Sequence, residues 1–181
     1  ELLRRGADVL AVMAGDGQMD PADLERVVRP VVLGGADYVT GDRLSHSIAR
    51  KAMPRMRRWG NRVLTVLSRV ALGMPALADS QCGYTAIGRR ALARIDLDAL
   101  YPRYGYPNDL LSRLVLAGAR IEHTVVRPIY AGEKSGVRWW HAVGTIPALL
   151  VRCLVRRLAV AWRVKSPLVP SQPEPPCASD Y

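Results

Sequence analysis

The sequence has no phenylalanine, and it has only three histidines and three cysteines. Cys82, Cys153 and Cys177 lie far apart and form no Cys-x-x-Cys pair, so neither a disulfide framework nor a structural zinc site is indicated. The histidines are too scattered for a metal triad. The uncharged run at residues 139–151 is shorter than the roughly 20 residues that a membrane-spanning helix needs. The composition fits a globular protein in a reducing compartment.

Acidic side chains are missing from two segments of the chain. Residues 43–62 contain seven basic side chains and residues 138–165 contain six, with no acidic side chain in either segment. Such cationic patches attract nucleic acid, anionic lipid headgroups or phosphorylated substrates, and charge alone does not choose among them. A nucleic-acid-binding module would also need aromatic stacking platforms or a recognised binding motif. Neither is found, so we expect no nucleic-acid partner.

Short apolar segments alternate with amphipathic ones, which is typical of an α/β fold with a mostly parallel, Rossmann-like sheet flanked by helices. The first strand is expected to be buried between parallel neighbours. Asp20 and Pro21 are suited to the N-cap and the first position of a helix. The patterns predict strands at residues 7–13, 37–40 and 121–126, helices at 21–33, 46–72, 89–94 and 108–118, and loops at 79–84 and 101–107.

The C-terminal part of the chain has a different pattern. Residues 139–163 have apolar side chains at helical spacing, with arginines mostly on the other face and tryptophans near the ends. Such a helical segment suits the headgroup region of a membrane, and the alternative is a core-packing helix or helix pair broken at Pro147. We favour the interface. Residues 166–181 contain five prolines and are predicted to be disordered.

Asp16 and Gln18 directly follow the first predicted strand. Loops at the carboxyl ends of parallel strands form the ligand crevice of α/β sheets, and hard oxygen ligands suit Mg²⁺ or Mn²⁺. The alternative is a polar turn followed by a helix cap. We assign Asp20 to the cap, because Asp before Pro is an ordinary helix start.

Three separated strings resemble glycosyltransferase family 2, in the branch of the dolichyl- and polyprenyl-phosphate sugar synthases. They are V-M-A-G-D-G-Q-M-D-P from Val12, G-A-D-Y-V-T-G-D-R from Gly35 and D-S-Q-C-G-Y-T-A from Asp79. The resemblance covers about residues 1–137 and implies a GT-A fold, a nucleotide-diphosphate sugar donor and a divalent metal. It also implies that the N-terminal part of the domain is absent and that this fragment alone is inactive.

The resemblance assigns the metal to Asp16 and Gln18. The second Asp of the family's Asp-x-Asp motif is Asp16, whereas the first position is Ala14, so part of the usual nucleotide and metal contact is missing. Arg43 matches the arginine at the family's Gly-x-Arg strand exit, which meets the acceptor phosphate. Arg57 or Arg58 falls where the family has a second such arginine. The alternative for this arginine-rich segment is a solvated or lipid-facing helix surface.

Further positions are implied on the acceptor and donor sides. Asp79 and Gly83 match a motif that lines the acceptor pocket. Asp109 falls where family members that act on hydroxyl acceptors have a catalytic base, and its alternative is a helix N-cap. Glu133, Lys134 and Ser135 resemble the family's donor-covering Gly-Glu-Ser-Lys loop with its last two residues exchanged. Cys82 is interpreted as a small buried thiol rather than a nucleophile.

These patterns predict three parts: residues 1–137 as the C-terminal portion of a GT-A domain, 138–165 as helices at a membrane interface, and 166–181 as the tail. The expected function is transfer of a sugar from a nucleotide-diphosphate sugar to a polyprenyl phosphate, with a saccharide hydroxyl as the second choice of acceptor. The expected location is an anionic membrane surface on the cytoplasmic face. The alternatives are a non-catalytic membrane-associated remnant and, less favoured, a basic nucleic-acid-binding module.

Overall fold

A computed structural model describes residues 5–102, 105–130 and 144–165 of the chain. Its four-stranded sheet has the order β1-β3-β2-β4, with β1 at Val9–Val12, β2 at Tyr38–Asp42, β3 at Thr85–Gly88 and β4 at Ile121–Val125. β2 and β4 pair in parallel, whereas β3 runs antiparallel between β1 and β2. Three strands therefore share one direction, and the predicted α/β class with a mostly parallel sheet is confirmed.

Helices cover both faces of the sheet. They are α1 (Leu24–Val32) after a 3₁₀ turn at Pro21–Asp23, α2 (Ser47–Ala52), α3 (Arg55–Leu72), α4 (Arg89–Leu92), α5 (Tyr106–Leu116) and α6 (Ile146–Lys165). Neighbouring residues of a strand point to opposite faces. Accordingly Val39 packs in one core with α1, whereas Tyr38 packs in another with α3, α5 and α6. The sheet is thus the middle layer of three.

The expected burial of the first strand is wrong. β1 lies at the edge of the sheet, and its only ladder among the described residues is antiparallel, to β3. Val12 is 46% exposed, and Ala11 beside it is also exposed. The cause is β3, which lies between the predicted loop at residues 79–84 and the predicted helix at 89–94, where the patterns predict no strand. It has only four residues, Thr-Ala-Ile-Gly, and its place is set by pairing with residues far away in the chain.

The single helix expected at residues 46–72 is two helices. Met53 ends α2 in an extended conformation, with φ −74° and ψ 129°, and α3 begins immediately after Pro54. Proline has no N–H for the helix ladder and disfavours helical conformation in the residue before it. The break turns the start of α3, with its arginines, toward the loop after β1, where Arg57 meets Gln18.

α6 begins inside the segment expected to be an interfacial helix. One face is buried against α3 and α5 through Ile146, Leu149, Leu150 and Cys153, which are at most 4% exposed. The opposite face exposes apolar side chains, including Trp162 at 75%. Within the described part of the chain, no helix has the length and apolar character needed to cross a membrane. Residues 131–143 and 166–181 lie outside the described residues, so the predicted donor loop and tail do too.

Gly41, in the middle of the sheet, has no room for a side chain. A Cβ placed there would lie 2.8 Å from the Cys82 Sγ and 2.9 Å from the Val126 Cγ2. Real Cβ contacts are not this short, so β2 approaches the Cys82 loop and the end of β4 more closely than any larger residue permits. This close approach gathers the loops that form the candidate site.

Candidate active site

Loops from four strands meet at one edge of the sheet. β1, β2 and β4 end there, and β3 begins there because it runs the other way. The loop after β1 is tied to the segment after β4 by a bridge between Met19 and Pro128 and by the Ile129 N–H, which donates to the Gln18 carbonyl at 3.0 Å. This edge is where α/β sheets bind ligands.

Asp16 and Gln18 lie in a tight turn after β1. The Gln18 N–H donates to Asp16 Oδ1 at 3.0 Å, and Asp16 is exposed while Gln18 is buried. The buried Gln18 amide accepts a hydrogen bond at Oε1 from Arg57 Nη2, at 2.8 Å. Two predicted groups, one for the metal and one for the acceptor phosphate, are therefore in direct contact.

Tyr130 joins this pair and was missed by sequence reasoning. Its ring lies below the Arg57 guanidinium, 6.0 Å from ring centroid to Cζ. Its hydroxyl is buried and has no hydrogen-bond partner among the described residues. Burial raises the pKa of Tyr130, opposed by the charges of Arg43 and Arg57. The available signal was its position, an aromatic residue between the last strand and the predicted donor loop.

Arg43 and Asp79 form a buried ion pair. Arg43 Nε donates to Asp79 Oδ2 at 2.9 Å, and Nη2 donates to Asp79 Oδ1 at 3.3 Å and to the Gln81 carbonyl at 2.7 Å. The side chains are 7% and 0% exposed. Burial would lower the pKa of Arg43, but the Asp79 carboxylate outweighs burial and raises the pKa above its usual value. The pair locks the loop before β3 to the end of β2.

The loop before β3 also lies against the metal motif. A Cβ at Gly83 would stand 3.1 Å from the Ala14 Cβ, so the loop packs closely on the position where the motif has alanine. Cys82 is buried beside it, and burial together with the Asp79 charge raises the pKa of its thiol to about 12. A thiol in this environment is protonated at neutral pH and is not a nucleophile.

Asp20 and Asp23 have structural partners, as expected for Asp20. Asp20 Oδ1 accepts from the Ala22 N–H at 3.0 Å, so the prediction of a helix cap is confirmed. Asp23 accepts from the backbone N–H of Arg127 at 2.6 Å. Asp20 Oδ2 also lies 3.6 Å from Arg127 Nη1, so both carboxylates fasten the start of the helical segment after β1 to the segment after β4.

Asp109 lies in the first turn of α5 and is 2% exposed. Its carboxylate accepts from Arg113, Arg156 and the Tyr101 N–H, each at 3.0 Å. Burial would raise the pKa of Asp109, but these hydrogen bonds outweigh it and hold the pKa below its ordinary value. Within the described residues, none of the hydrogen bonds or ion pairs of Asp109 reaches the cluster around Gln18. A carboxylate with these partners is better suited to holding α5 and α6 together than to accepting a proton in catalysis.

The donor set for a divalent cation is small. In the described residues no group of three or more His, Cys, Asp or Glu side chains could hold a metal ion. The exposed Asp16 carboxylate and the Gln18 amide oxygen have the hard-oxygen chemistry that Mg²⁺ and Mn²⁺ prefer. Mg²⁺ is usually held by one or two carboxylates together with substrate phosphates and water, so these residues fit a cation whose other ligands come from a diphosphate.

The remaining predicted residues are placed as follows. Arg58 is half-buried in the first turns of α3, next to Arg57. Glu133, Lys134 and Ser135 lie outside the described residues. The structure thus brings together Asp16, Gln18 and Arg57 through hydrogen bonds, and separately joins Arg43 to Asp79.

Some known proteins are similar to this chain in sequence or in fold. No family model matches the chain. It is 34% identical over 120 residues to the undecaprenyl-phosphate mannosyltransferase of Micrococcus luteus. The matched residues are 66% of this chain and 48% of that protein. The chain is 31% identical over 99 residues to a UDP-N-acetylglucosamine–dolichyl-phosphate N-acetylglucosaminyltransferase of Methanococcus voltae, covering 55% and 39%. The chain therefore spans about half or less of these relatives.

Among solved structures, the chain is similar to glucosyl-3-phosphoglycerate synthase of Mycobacterium tuberculosis, crystallised with Mn²⁺, UDP and phosphoglyceric acid. The TM-score is 0.54 at 14% identity, over 83% of this chain and 49% of that one. A likeness at this identity concerns the fold. The sequence relatives show that the chain is similar to dolichyl- and polyprenyl-phosphate sugar transferases, and the solved structure shows that the chain has part of a GT-A fold.

Proposed function

We propose that the chain is part of an enzyme that transfers a sugar from a nucleotide-diphosphate sugar to a polyprenyl phosphate. The observation that supports this most is Arg57, a half-buried cation at the ligand edge of the sheet. No carboxylate of the described residues lies within 4.0 Å of its guanidinium. A guanidinium keeps its charge and binds phosphate through paired N–H donors.

The residues divide between the two substrates. Asp16 and Gln18 would hold Mg²⁺ or Mn²⁺, which when bound supplies positive charge against the leaving diphosphate. Arg57 would orient the acceptor phosphate through the N–H groups of its guanidinium. The phosphate oxygen forms its bond to the anomeric carbon of the sugar as the bond from that carbon to the nucleoside diphosphate breaks. Arg43 is engaged by Asp79, so its main role is to hold the Gly83 loop against Ala14.

The acceptor choice follows from the environment of Asp109. Transfer to a neutral hydroxyl needs a base near the attacking oxygen, whereas a phosphate is already anionic. Asp109 is bound by Arg113 and Arg156, and its pKa is lowered by those hydrogen bonds against the effect of burial. A phosphate acceptor needs no base, so it is compatible with an Asp109 carboxylate that is held by two arginines. This supports a lipid phosphate over a saccharide hydroxyl.

Calorimetry of UDP and GDP binding with and without Mn²⁺ tests the donor site. We expect Mn²⁺-dependent binding of one nucleotide, and its loss in Asp16→Ala, because Asp16 is the one charged ligand in the turn after β1. Asp98→Ala is the matched control, since Asp98 is an exposed carboxylate in the segment after α4. The measurement is made on this chain and on the whole protein. No binding to either nucleotide by the folded whole protein would contradict the proposal and favour a non-catalytic remnant.

We further propose that α3 and α6 contact an anionic membrane surface on the cytoplasmic side. Both helices lack acidic residues, and they pack against each other through Ala71, Ile146 and Leu150. Apolar side chains remain exposed on both, including Trp59 at 65% and Trp162 at 75%. Arginines beside exposed aromatic rings suit the headgroup region of anionic lipids. A lipid-linked acceptor would be met at such a surface.

Vesicle sedimentation tests this contact. The chain should sediment with phosphatidylglycerol vesicles and less with phosphatidylcholine vesicles. Replacing both Trp59 and Trp162 by serine should weaken binding severalfold, because both rings leave water on binding. The matched control replaces Val32 and Leu33, exposed at 62% and 72% next to the end of α1. Retention that is equal for both double variants, or absent on anionic vesicles, would count against this surface.

A further inference from the structure

The side-chain amide of Gln18 is shared between two parts of the proposed site. Its residue is 4% exposed, and its Oε1 accepts from Arg57 Nη2 at 2.8 Å. The same residue is one step from the metal turn, since its backbone N–H donates to Asp16 Oδ1. One oxygen therefore faces a cation of the protein and is also the neutral ligand expected for a divalent cation.

The orientation of this amide follows from chemistry. A guanidinium has only N–H donors, so the group facing it must be the amide oxygen and not the NH₂. The oxygen has two lone pairs, but two positive groups placed on it would stand a few ångströms apart in a partly buried site. Like charges at this separation repel strongly where water is scarce. Arg57 and a divalent cation are thus poor simultaneous partners for Gln18 unless an anion lies between them.

The charge of Arg57 is available for such an anion. Arg43, which is buried, is neutralised by Asp79 at 2.9 Å. Arg57 has only Gln18 as a hydrogen-bond partner and the Tyr130 ring as a neighbour within the described residues. The ring offers a cation–π position beside Gln18, and the buried Tyr130 hydroxyl has no partner there. A phosphate on Arg57 would find a second donor in that hydroxyl.

We propose, on the basis of the proposed function, that Gln18 couples the metal site to the acceptor-phosphate site. Without ligands, Arg57 occupies the Gln18 oxygen and opposes the divalent cation. A phosphate on Arg57 neutralises the guanidinium and draws it toward Tyr130, which frees the oxygen for the cation. Each ligand then raises the affinity for the other by the same factor, as linkage requires. The acceptor thereby prepares the donor side of the site.

Electron paramagnetic resonance of free Mn²⁺ tests this coupling without measuring turnover. Mn²⁺ is titrated into the protein with UDP or GDP, whichever binds, in the presence and absence of methyl phosphate, and protein-free titrations correct for complexes in solution. Methyl phosphate should tighten Mn²⁺ binding about five- to tenfold, in the range of ordinary site-to-site coupling. Arg57→Gln should bind Mn²⁺ this tightly without phosphate and should not respond to it. Arg55→Gln, an exposed arginine in the same first turn, is the matched control and should behave like the wild type.

A second arm needs no metal. Binding of methyl phosphate alone is followed by ³¹P nuclear magnetic resonance in the wild type and in Gln18→Ala, where Arg57 has lost its partner. Binding should be severalfold tighter in the variant, because the guanidinium no longer has to leave Gln18. Equal Mn²⁺ affinities with and without methyl phosphate, in the wild type and Arg57→Gln alike, would overturn the coupling and leave the donor site intact. No Mn²⁺-dependent binding of either UDP or GDP by the wild type would overturn both.

Discussion

Replacing Asp79 by asparagine is expected to lower the free energy of unfolding by about 3–5 kcal/mol, the usual result of removing one partner of a buried ion pair. Asparagine keeps the shape of the side chain, so no cavity forms, but Arg43 is left charged and 7% exposed. The guanidinium then has the Gln81 carbonyl and a neutral amide for partners. Urea unfolding followed by tryptophan fluorescence measures the change.

Two further variants separate charge from packing. A double replacement, Arg43→Met with Asp79→Leu, removes both charges and should recover much of the lost stability, because apolar pairs often substitute for buried ion pairs. Asp98→Asn changes an exposed carboxylate and should stay within about 0.5 kcal/mol of the wild type. A loss under about 1 kcal/mol in Asp79→Asn would show that the pair contributes little to holding the two loops together.

Asp109→Asn should lower the free energy of unfolding by about 2–3 kcal/mol, as expected for lost hydrogen bonds to charged groups. The loss is smaller than at Asp79, since Arg113 and Arg156 are 17% and 25% exposed and can reach water. The loss of stability should mainly affect α6, because Arg156 fastens this helix to Asp109 in α5. Hydrogen exchange of α6 amides should therefore accelerate more than exchange in α1.

Acid should weaken the same contact. The pKa of Asp109 in the folded chain lies below its ordinary value of 3.8, which the unfolded chain retains. The unfolded state then binds the proton first as the pH falls, so this contribution to stability is complete above pH 3.8 and is lost as the pH falls through the folded pKa. The difference in stability between wild type and Asp109→Asn should shrink over that acid range. Two results would instead favour Asp109 as a catalytic base. One is a stability difference between wild type and Asp109→Asn that stays constant over the acid range. The other is unchanged hydrogen exchange of α6 amides in Asp109→Asn together with lost sugar transfer to a hydroxyl acceptor.

Local patterns were enough to predict much of the fold. The strands beginning near Asp37 and Ile121 are short segments with β-branched side chains between turn residues, and the helix start at Asp20 and Pro21 follows from backbone chemistry alone. β3 could not be found in this way. Its four residues mix the strand formers Thr85 and Ile87 with alanine and glycine and are too few for a clear pattern, so only pairing with β1 and β2 defines it. The same pairing places β1 at an edge.

In the candidate site too, local motifs predict single residues, whereas long-range packing decides which of them are in contact. Motif resemblance marked Asp16, Gln18, Arg43, Arg57 and Asp79 one at a time, but it did not pair them. Arg43 and Asp79 are 36 residues apart, and Gln18 and Arg57 are 39 apart. Which cation is neutralised and which remains available is a property of packing. For that reason the motifs predict the same phosphate-binding role for Arg43 and Arg57, whereas the structure pairs Arg43 with Asp79 and Arg57 with Gln18.

The order of the strands has a consequence for how the chain reaches this structure. In the described sheet no two paired strands are joined by a hairpin: residues 43–84 separate β2 from β3, and the partners of β1 and β4 are farther still along the chain. Closing such long loops before any ladder can form favours early helices and a late sheet, and it slows folding. During that interval the apolar strands remain open to other chains, so low protein concentration should favour correct refolding over association.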